Sequence, residues 1–175
     1  MFQERDWSNI YGIDKEAIPS NAPEPLGNEL IIRAYVDASF AGCKVTRRSR
    51  TGFIIYANCA PIYYLSTKQG SCEVSTFGSE FVAMKQCCEY IRGFRYKLRM
   101  MGIPVTNPAF VFGDNQSVLW NTTVPDSTLK KRLSSVAYHF VREGVAKNEW
   151  RTGYIKTKDN PSDVMMKMIT VKEDR

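Results

Sequence analysis

Histidine is nearly absent: the 175 residues contain one, His139. That argues against histidine-rich metal centres and weakens any Ser-His or Cys-His nucleophilic mechanism. The cysteines (Cys43, Cys59, Cys72, Cys87 and Cys88) are odd in number and have no C-x-x-C spacing. They read as reduced, mostly buried thiols of a cytosolic protein rather than a disulfide framework or zinc site. No apolar run approaches the roughly 20 residues of a membrane span. The opening MFQERDWSNI is too polar for a secretory leader. No internal repeat is visible, and 43% hydrophobic with 24% charged residues is an ordinary globular balance.

What the sequence does have is an uneven charge distribution. The net charge is +6, from 24 Lys and Arg against 18 Asp and Glu. Residues 1–30 carry six acids (Glu4, Asp6, Asp14, Glu16, Glu24, Glu29) and two bases (Arg5, Lys15), so the remainder holds 22 bases and 12 acids. The bases cluster at Lys44/Arg47/Arg48/Arg50, at Arg92/Arg95/Lys97/Arg99 and at Lys130/Lys131/Arg132. Three such blocks in one domain point to a polyanionic partner, although each alone is compatible with a solvated face.

The first 28 residues carry Pro19, Pro23 and Pro25 and read as an extended acidic arm or linker. From Glu29 onward LIIRAYVDA, TGFIIYA and PIYYLS form three strand-like segments joined by turns, an antiparallel meander. A long helix follows, capped by Ser75 or Thr76, with Phe77, Phe81, Met84, Cys88, Ile91, Leu98 and Met101 forming its apolar stripe. Gly102 and Pro104 stop it. Then come a short strand (AFVFGD), a short helix (NQSVLWNTT), a second long helix over 129–148, a strand (EWRTGYIK) and a short helix begun by Pro161. This order predicts an α/β fold: a five-stranded mixed sheet, three antiparallel strands then two further strands, flanked by helices. The expected division is an arm or linker over 1–28, one domain over 29–170 and a tail over 171–175.

Four acids fall in unusual places. Asp37 and Asp114 each end an apolar strand, where an unpaired charge is costly. Glu80 lies three residues after Phe77 and four before Met84, on the buried stripe of its helix. Asp163 opens the last helix. Taken singly, Asp114 or Asp163 reads equally as a helix cap and Asp37 as a turn former. Taken together they suggest one site beyond the strand ends. Carboxylates without histidine or thiol suit Mg²⁺ or Mn²⁺, and such a site in a basic domain implies phosphoryl chemistry on a nucleic acid, with two ions activating a water and stabilising the leaving oxygen.

The pieces YVDASFAG, VTRRSRTGFIIY, APIYYLSTKQ, EVSTFGSEFVAMK, RYKLRMMGIP, FGDNQSV, YHFVRE and NPSDVMMK occur in order over residues 33–168. In this the chain resembles the ribonuclease H domain of copia-type LTR retrotransposon Pol polyproteins. The resemblance implies a ribonuclease H-like fold and two-metal hydrolysis of the RNA strand of RNA/DNA hybrids, with Asp37, Glu80, Asp114 and Asp163 on the four acidic positions. It implies two Mg²⁺ or Mn²⁺ ions and an upstream reverse transcriptase domain in the same polyprotein. It implies no membrane partner and a cytoplasmic setting, with virus-like particles as one location. It places Gln116 at the minor groove and suggests contact of Ser39 with 2′-hydroxyls. Arg47 and Arg48, in the turn after the first strand, are candidate phosphate ligands. The alternative is a catalytically retired or domesticated nucleic-acid-binding module of the same fold. The chain departs from the family pattern at Arg132-Leu133, where a Lys-His pair is common, and in the loop Lys156-Thr157-Lys158-Asp159, which has no histidine.

Other residues have simpler expectations. His139, between Tyr138 and Phe140, reads as a packed or hydrogen-bonded structural residue. Cys87, Cys88, Trp120 and Trp150 read as core, and Trp7 as the anchor of the N-terminal arm.

Overall fold

The computed structural model describes residues 5–12, 15–43, 45–128 and 135–166. Its sheet is built from β1 (Ile32–Ser39), β2 (Arg50–Ala57), β3 (Ala60–Lys68), β4 (Ala109–Gly113) and β5 (Trp150–Tyr154). The spatial order is β3-β2-β1-β4-β5. The β1–β2 and β2–β3 pairs are antiparallel, whereas β4 runs parallel to β1 and β5 parallel to β4. The helices are α1 (Ser8–Tyr11), α2 (Thr76–Met100), α3 (Gln116–Thr123), α4 (Ser135–Ala146) and α5 (Asp163–Met166). The expected mixed sheet and element order are therefore present.

Alternation in β1 sends Ile32, Ala34, Val36 and Ala38 into the core. There they meet Phe53 and Ile55 of β2 and the α2 stripe of Phe81, Met84, Cys88 and Ile91. On the other side of the sheet Tyr35 stacks on Phe112 and meets Tyr56 edge-on. Ser75 caps α2 by accepting a hydrogen bond from the Gly78 N–H, and Gly102 closes it with φ +72°. Trp150 is fully buried beneath α4 and donates its indole N–H to the Val141 carbonyl. A Cβ at Gly144 would lie 1.9 Å from that indole, so only glycine lets α4 approach β5 here.

Several expectations need correction. Trp120 is not core: it is 62% exposed. Cys87 and Cys88 are buried, but Cys59 and Cys72 are exposed, so the thiols are not mostly internal. The Arg92/Arg95/Arg99 block is not an open basic face. Arg92 pairs with Glu149, and Arg95 and Arg99 both clamp Glu16. Long arginine stems on the last turns of α2 reach internal acids that local sequence does not reveal. Lys44, the cluster Lys130/Lys131/Arg132 and residues 167–175 lie outside the described residues, as does the start of the second long helix at 129–134.

The N-terminal segment packs on the helices. Trp7 is 7% exposed and lies against the Arg142 guanidinium, and the Tyr11 hydroxyl meets His139 Nδ1 at 2.7 Å. His139 thus has the structural hydrogen bond expected of it. A cavity of about 820 Å³ lies under this segment, lined in part by Trp7, Glu16, Pro23 and Arg99. None of the four singled-out acids lines it.

Candidate metal centre

The parallel β1–β4 ladder pairs Tyr35 with Phe112. Two residues further along each strand, that register places Asp37 beside Asp114. Asp37 lies opposite Gly52 within the β1–β2 ladder, which excludes the turn-former reading. Asp114 is not a cap either: the Asn115 side chain caps α3 by accepting from the Ser117 and Val118 N–H groups. Glu80, on the first turns of α2, comes down onto the same strand ends because α2 packs its apolar stripe across β1 and β2. The outcome is a trio, Asp37, Glu80 and Asp114, each offering a carboxylate oxygen within 4.8 Å of the others.

Asp37 and Glu80 are each 8% exposed, and Asp114 is half-buried. Burial, then the neighbouring Asp37 and Asp114 charges, push Glu80 up to about 9, while the Ala38 N–H partly opposes this. The Ala38 N–H also donates to Asp37 Oδ1 at 2.8 Å. Three acids so placed cannot all ionise comfortably without a cation. Their donor set is all oxygen, which fits a hard divalent ion such as Mg²⁺ or Mn²⁺.

Asp163, the fourth acid of the expected set, is not one of the carboxylates that all lie within 4.8 Å of one another. Strand register and core packing fix the trio, whereas Asp163 is positioned by a loop and the four-residue helix α5. That loop is pinned at defined points. Asn160 Nδ2 donates to the Val36 carbonyl at 3.0 Å, one residue from Asp37. Asn160 Oδ1 accepts from the Ser162 N–H and hydroxyl, and the Asn160 carbonyl accepts from the Asp163 N–H. The Ser66 hydroxyl holds the Met165 carbonyl at 2.7 Å. A Cβ at Gly52 would lie 2.9 Å from the Met165 Cβ and 2.0 Å from the Met166 Cε, so the glycine opposite Asp37 gives α5 its seat.

Sequence reasoning missed two residues of this site. Asn160 is one. The other is Thr157, whose hydroxyl donates to Asp114 Oδ2 at 2.7 Å. Asn160 opens the piece NPSDVMMK, but neither segment names its partner, because each partner sits at a distant strand.

The candidate substrate residues lie at the same end of the sheet. Ser39 ends β1 and pairs with Arg50 at the start of β2, so the turn between them projects beyond Asp37. Arg47 and Arg48 are exposed in that turn. It is closed by the Arg47 N–H donating to the Cys43 carbonyl and the Cys43 N–H donating to the Arg48 carbonyl. Gln116 is exposed on the first turn of α3.

Solved structures with this arrangement of strands and helices include ribonucleases H. RNase H1 from Halobacterium salinarum matches 77% of the chain and 92% of its own, with a TM-score of 0.58 at 13% identity. LC11-RNase H1 in complex with RNA/DNA hybrid matches 77% and 92%, with a TM-score of 0.60 at 14% identity. The fold is that of ribonuclease H. In sequence the chain is 27% identical over 144 residues to the Retrovirus-related Pol polyprotein from transposon RE1 of Arabidopsis thaliana. It is 25% identical over 143 residues to that from transposon TNT 1-94 of Nicotiana tabacum. Each match covers 82% of this chain and about a tenth of the relative, 10% and 11% respectively. No protein-family model matches the chain. The ribonuclease H-like domain thus has copia-type Pol polyproteins of plants as its sequence relatives.

Proposed function

We propose that this ribonuclease H-like domain is a metal-dependent endonuclease that hydrolyses the RNA strand of RNA/DNA hybrids. Its place is within a retrotransposon Pol polyprotein, downstream of a reverse transcriptase domain, acting in the cytoplasm. The observation that carries the reading is the closely set trio Asp37, Glu80 and Asp114, the first two buried and the third half-buried, on two adjacent strand ends and the helix above them. When bound, two divalent ions supply an activated water and stabilise the leaving oxygen. Asp37, Glu80 and Asp114 would hold those ions, and Asp163, at the start of α5, would add the fourth carboxylate. Thr157 fixes the Asp114 carboxylate. Arg47 and Arg48 neutralise backbone phosphates, Ser39 meets the RNA 2′-hydroxyls that distinguish RNA from DNA, and Gln116 reaches into the minor groove. The trio lies at the sheet end from which the Arg47/Arg48 turn projects, and none of it lines the cavity under the N-terminal segment. Among the described residues no helix is long and apolar enough to cross a membrane.

The deciding experiment compares wild type with Asp114→Asn on labelled RNA/DNA hybrid, double-stranded RNA and double-stranded DNA, with Mg²⁺ and with EDTA. The expected result is hybrid-selective, Mg²⁺-dependent cleavage by the wild type and none by a folded variant that still binds hybrid. Asn115, not Asp114, caps α3, so the substitution leaves the helix start intact. A folded variant that cleaves at the wild-type rate refutes the assignment of Asp114. A wild type inert with every divalent metal favours the retired binding module.

A further inference from the structure

The three tryptophans have unlike fates. Trp150 is fully buried and Trp7 is 7% exposed, but Trp120 is 62% exposed. A large indole held in water on a folded surface forgoes the burial that its size rewards most. A single exposed apolar residue needs no explanation by itself, so its position matters. Trp120 lies on α3, which begins two residues after Asp114. The buried residues of α3 are Val118, Leu119 and Thr122. The opposite face presents Gln116, Ser117 and Trp120, all exposed. At helical spacing Trp120 stands one turn, about 6 Å, beyond Gln116 on that face. Asn115 sets the first turn of the helix through two capping hydrogen bonds, so this face has a fixed direction relative to the metal centre.

We infer that Trp120 is a further nucleic-acid contact: it continues the Gln116 face of α3 and packs its indole against the hybrid, one helical turn beyond Gln116. The inference rests on the hybrid-cleaving reading above and extends its footprint. A flat aromatic beside polar side chains suits a duplex, whose sugars offer apolar surface between polar phosphates and base edges. The contact tolerates many sequences, because it engages the sugars rather than a donor–acceptor pattern of the bases. It leaves metal binding to the carboxylates, so Trp120 contributes to affinity and placement rather than to bond cleavage.

The isolation of Trp120 in water also provides the assay. With Trp7 and Trp150 buried, acrylamide quenching of intrinsic fluorescence reports chiefly on Trp120. The protein is titrated in EDTA with unlabelled hybrid while quenching is followed, and hybrid binding is measured separately by anisotropy of a labelled hybrid. The expected result is that bound hybrid shields the fluorescence from acrylamide. Trp120→Ala should weaken hybrid binding about tenfold and raise KM with kcat unchanged in Mg²⁺. Trp120→Phe should recover most of the loss. Both variants should melt as the wild type does, since the side chain packs little. Hybrid bound normally with quenching unchanged, and Trp120→Ala binding as the wild type does, would overturn the inference and leave the nuclease reading standing. No hybrid binding by anisotropy, for the wild type itself, would instead overturn the nuclease reading and this inference with it.

Discussion

The Thr157 hydroxyl donates to Asp114 Oδ2 at 2.7 Å, joining the loop after β5 to a carboxylate at the end of β4. The bond occupies one oxygen of Asp114 and fixes the plane of the other. Outer groups of this kind commonly contribute tenfold or more to metal affinity. Thr157→Val, which keeps the shape and removes the donor, should weaken Mg²⁺ binding by about tenfold with little change in fold. Thr157→Ser should restore it. Isothermal titration of Mg²⁺ into the three proteins, without substrate, checks this. Equal affinities would make the bond incidental.

Glu80 gives the metal-depleted protein a pH dependence of definite sign. Its carboxyl is raised from 4.5 to about 9 in the folded state, first by burial and then by Asp37 and Asp114. The folded state therefore holds a proton that the unfolded chain releases. That contribution to stability is full below pH 4.5 and is lost as pH rises toward about 9. In EDTA the melting temperature should fall across this window, and Glu80→Gln should flatten the decline. Mg²⁺ competes with the proton, so millimolar Mg²⁺ should raise the melting temperature more at about pH 8 than at about pH 5. Melts unaffected by Mg²⁺ at both values would contradict a preformed site.

Glu16 has the opposite sign. Burial alone would raise it, but hydrogen bonds and charge from Arg99 and Arg95 win and hold it at about 2. Its contribution is present above pH 4.5 and disappears as pH falls toward 2. Arg95 is 1% exposed, so Glu16→Gln leaves a buried guanidinium without its counter-charge. The expected cost near neutral pH is roughly 3 kcal/mol, shrinking in acid. Urea unfolding at several pH values measures it. A constant gap between the two proteins would show that charge is not its source.

Arg47 and Arg48 project from the turn beyond Asp37, and neither shares in the ion pairs found among the described residues. Replacing both with Ala should reduce the salt dependence of hybrid binding by about one to two phosphate contacts and leave Mg²⁺ affinity unchanged. An unaltered slope of log affinity against log salt would return them to the role of solvated surface.

The strands, the long helix with a cap at Ser75 or Thr76 and a stop at Gly102, and the unusual acids Asp37, Glu80, Asp114 and Asp163 could all be read along the chain. These were legible because alternation, helical periodicity and turn chemistry act within one segment. Which groups meet depends on contacts between segments distant in the chain. Strand register brought Asp37 beside Asp114, and the docking of α2 brought Glu80 onto them. Asn115 took over the cap that Asp114 was equally able to form. Contacts between residues far apart in the chain paired Arg95 with Glu16, Thr157 with Asp114 and Asn160 with the Val36 carbonyl, and none of these leaves a trace in local composition. Trp120 marks the same boundary. Its apolar character argued for the core, but the core side of α3 was already taken by Val118, Leu119 and Thr122, and rotation about the helix axis left the indole facing water beside Gln116.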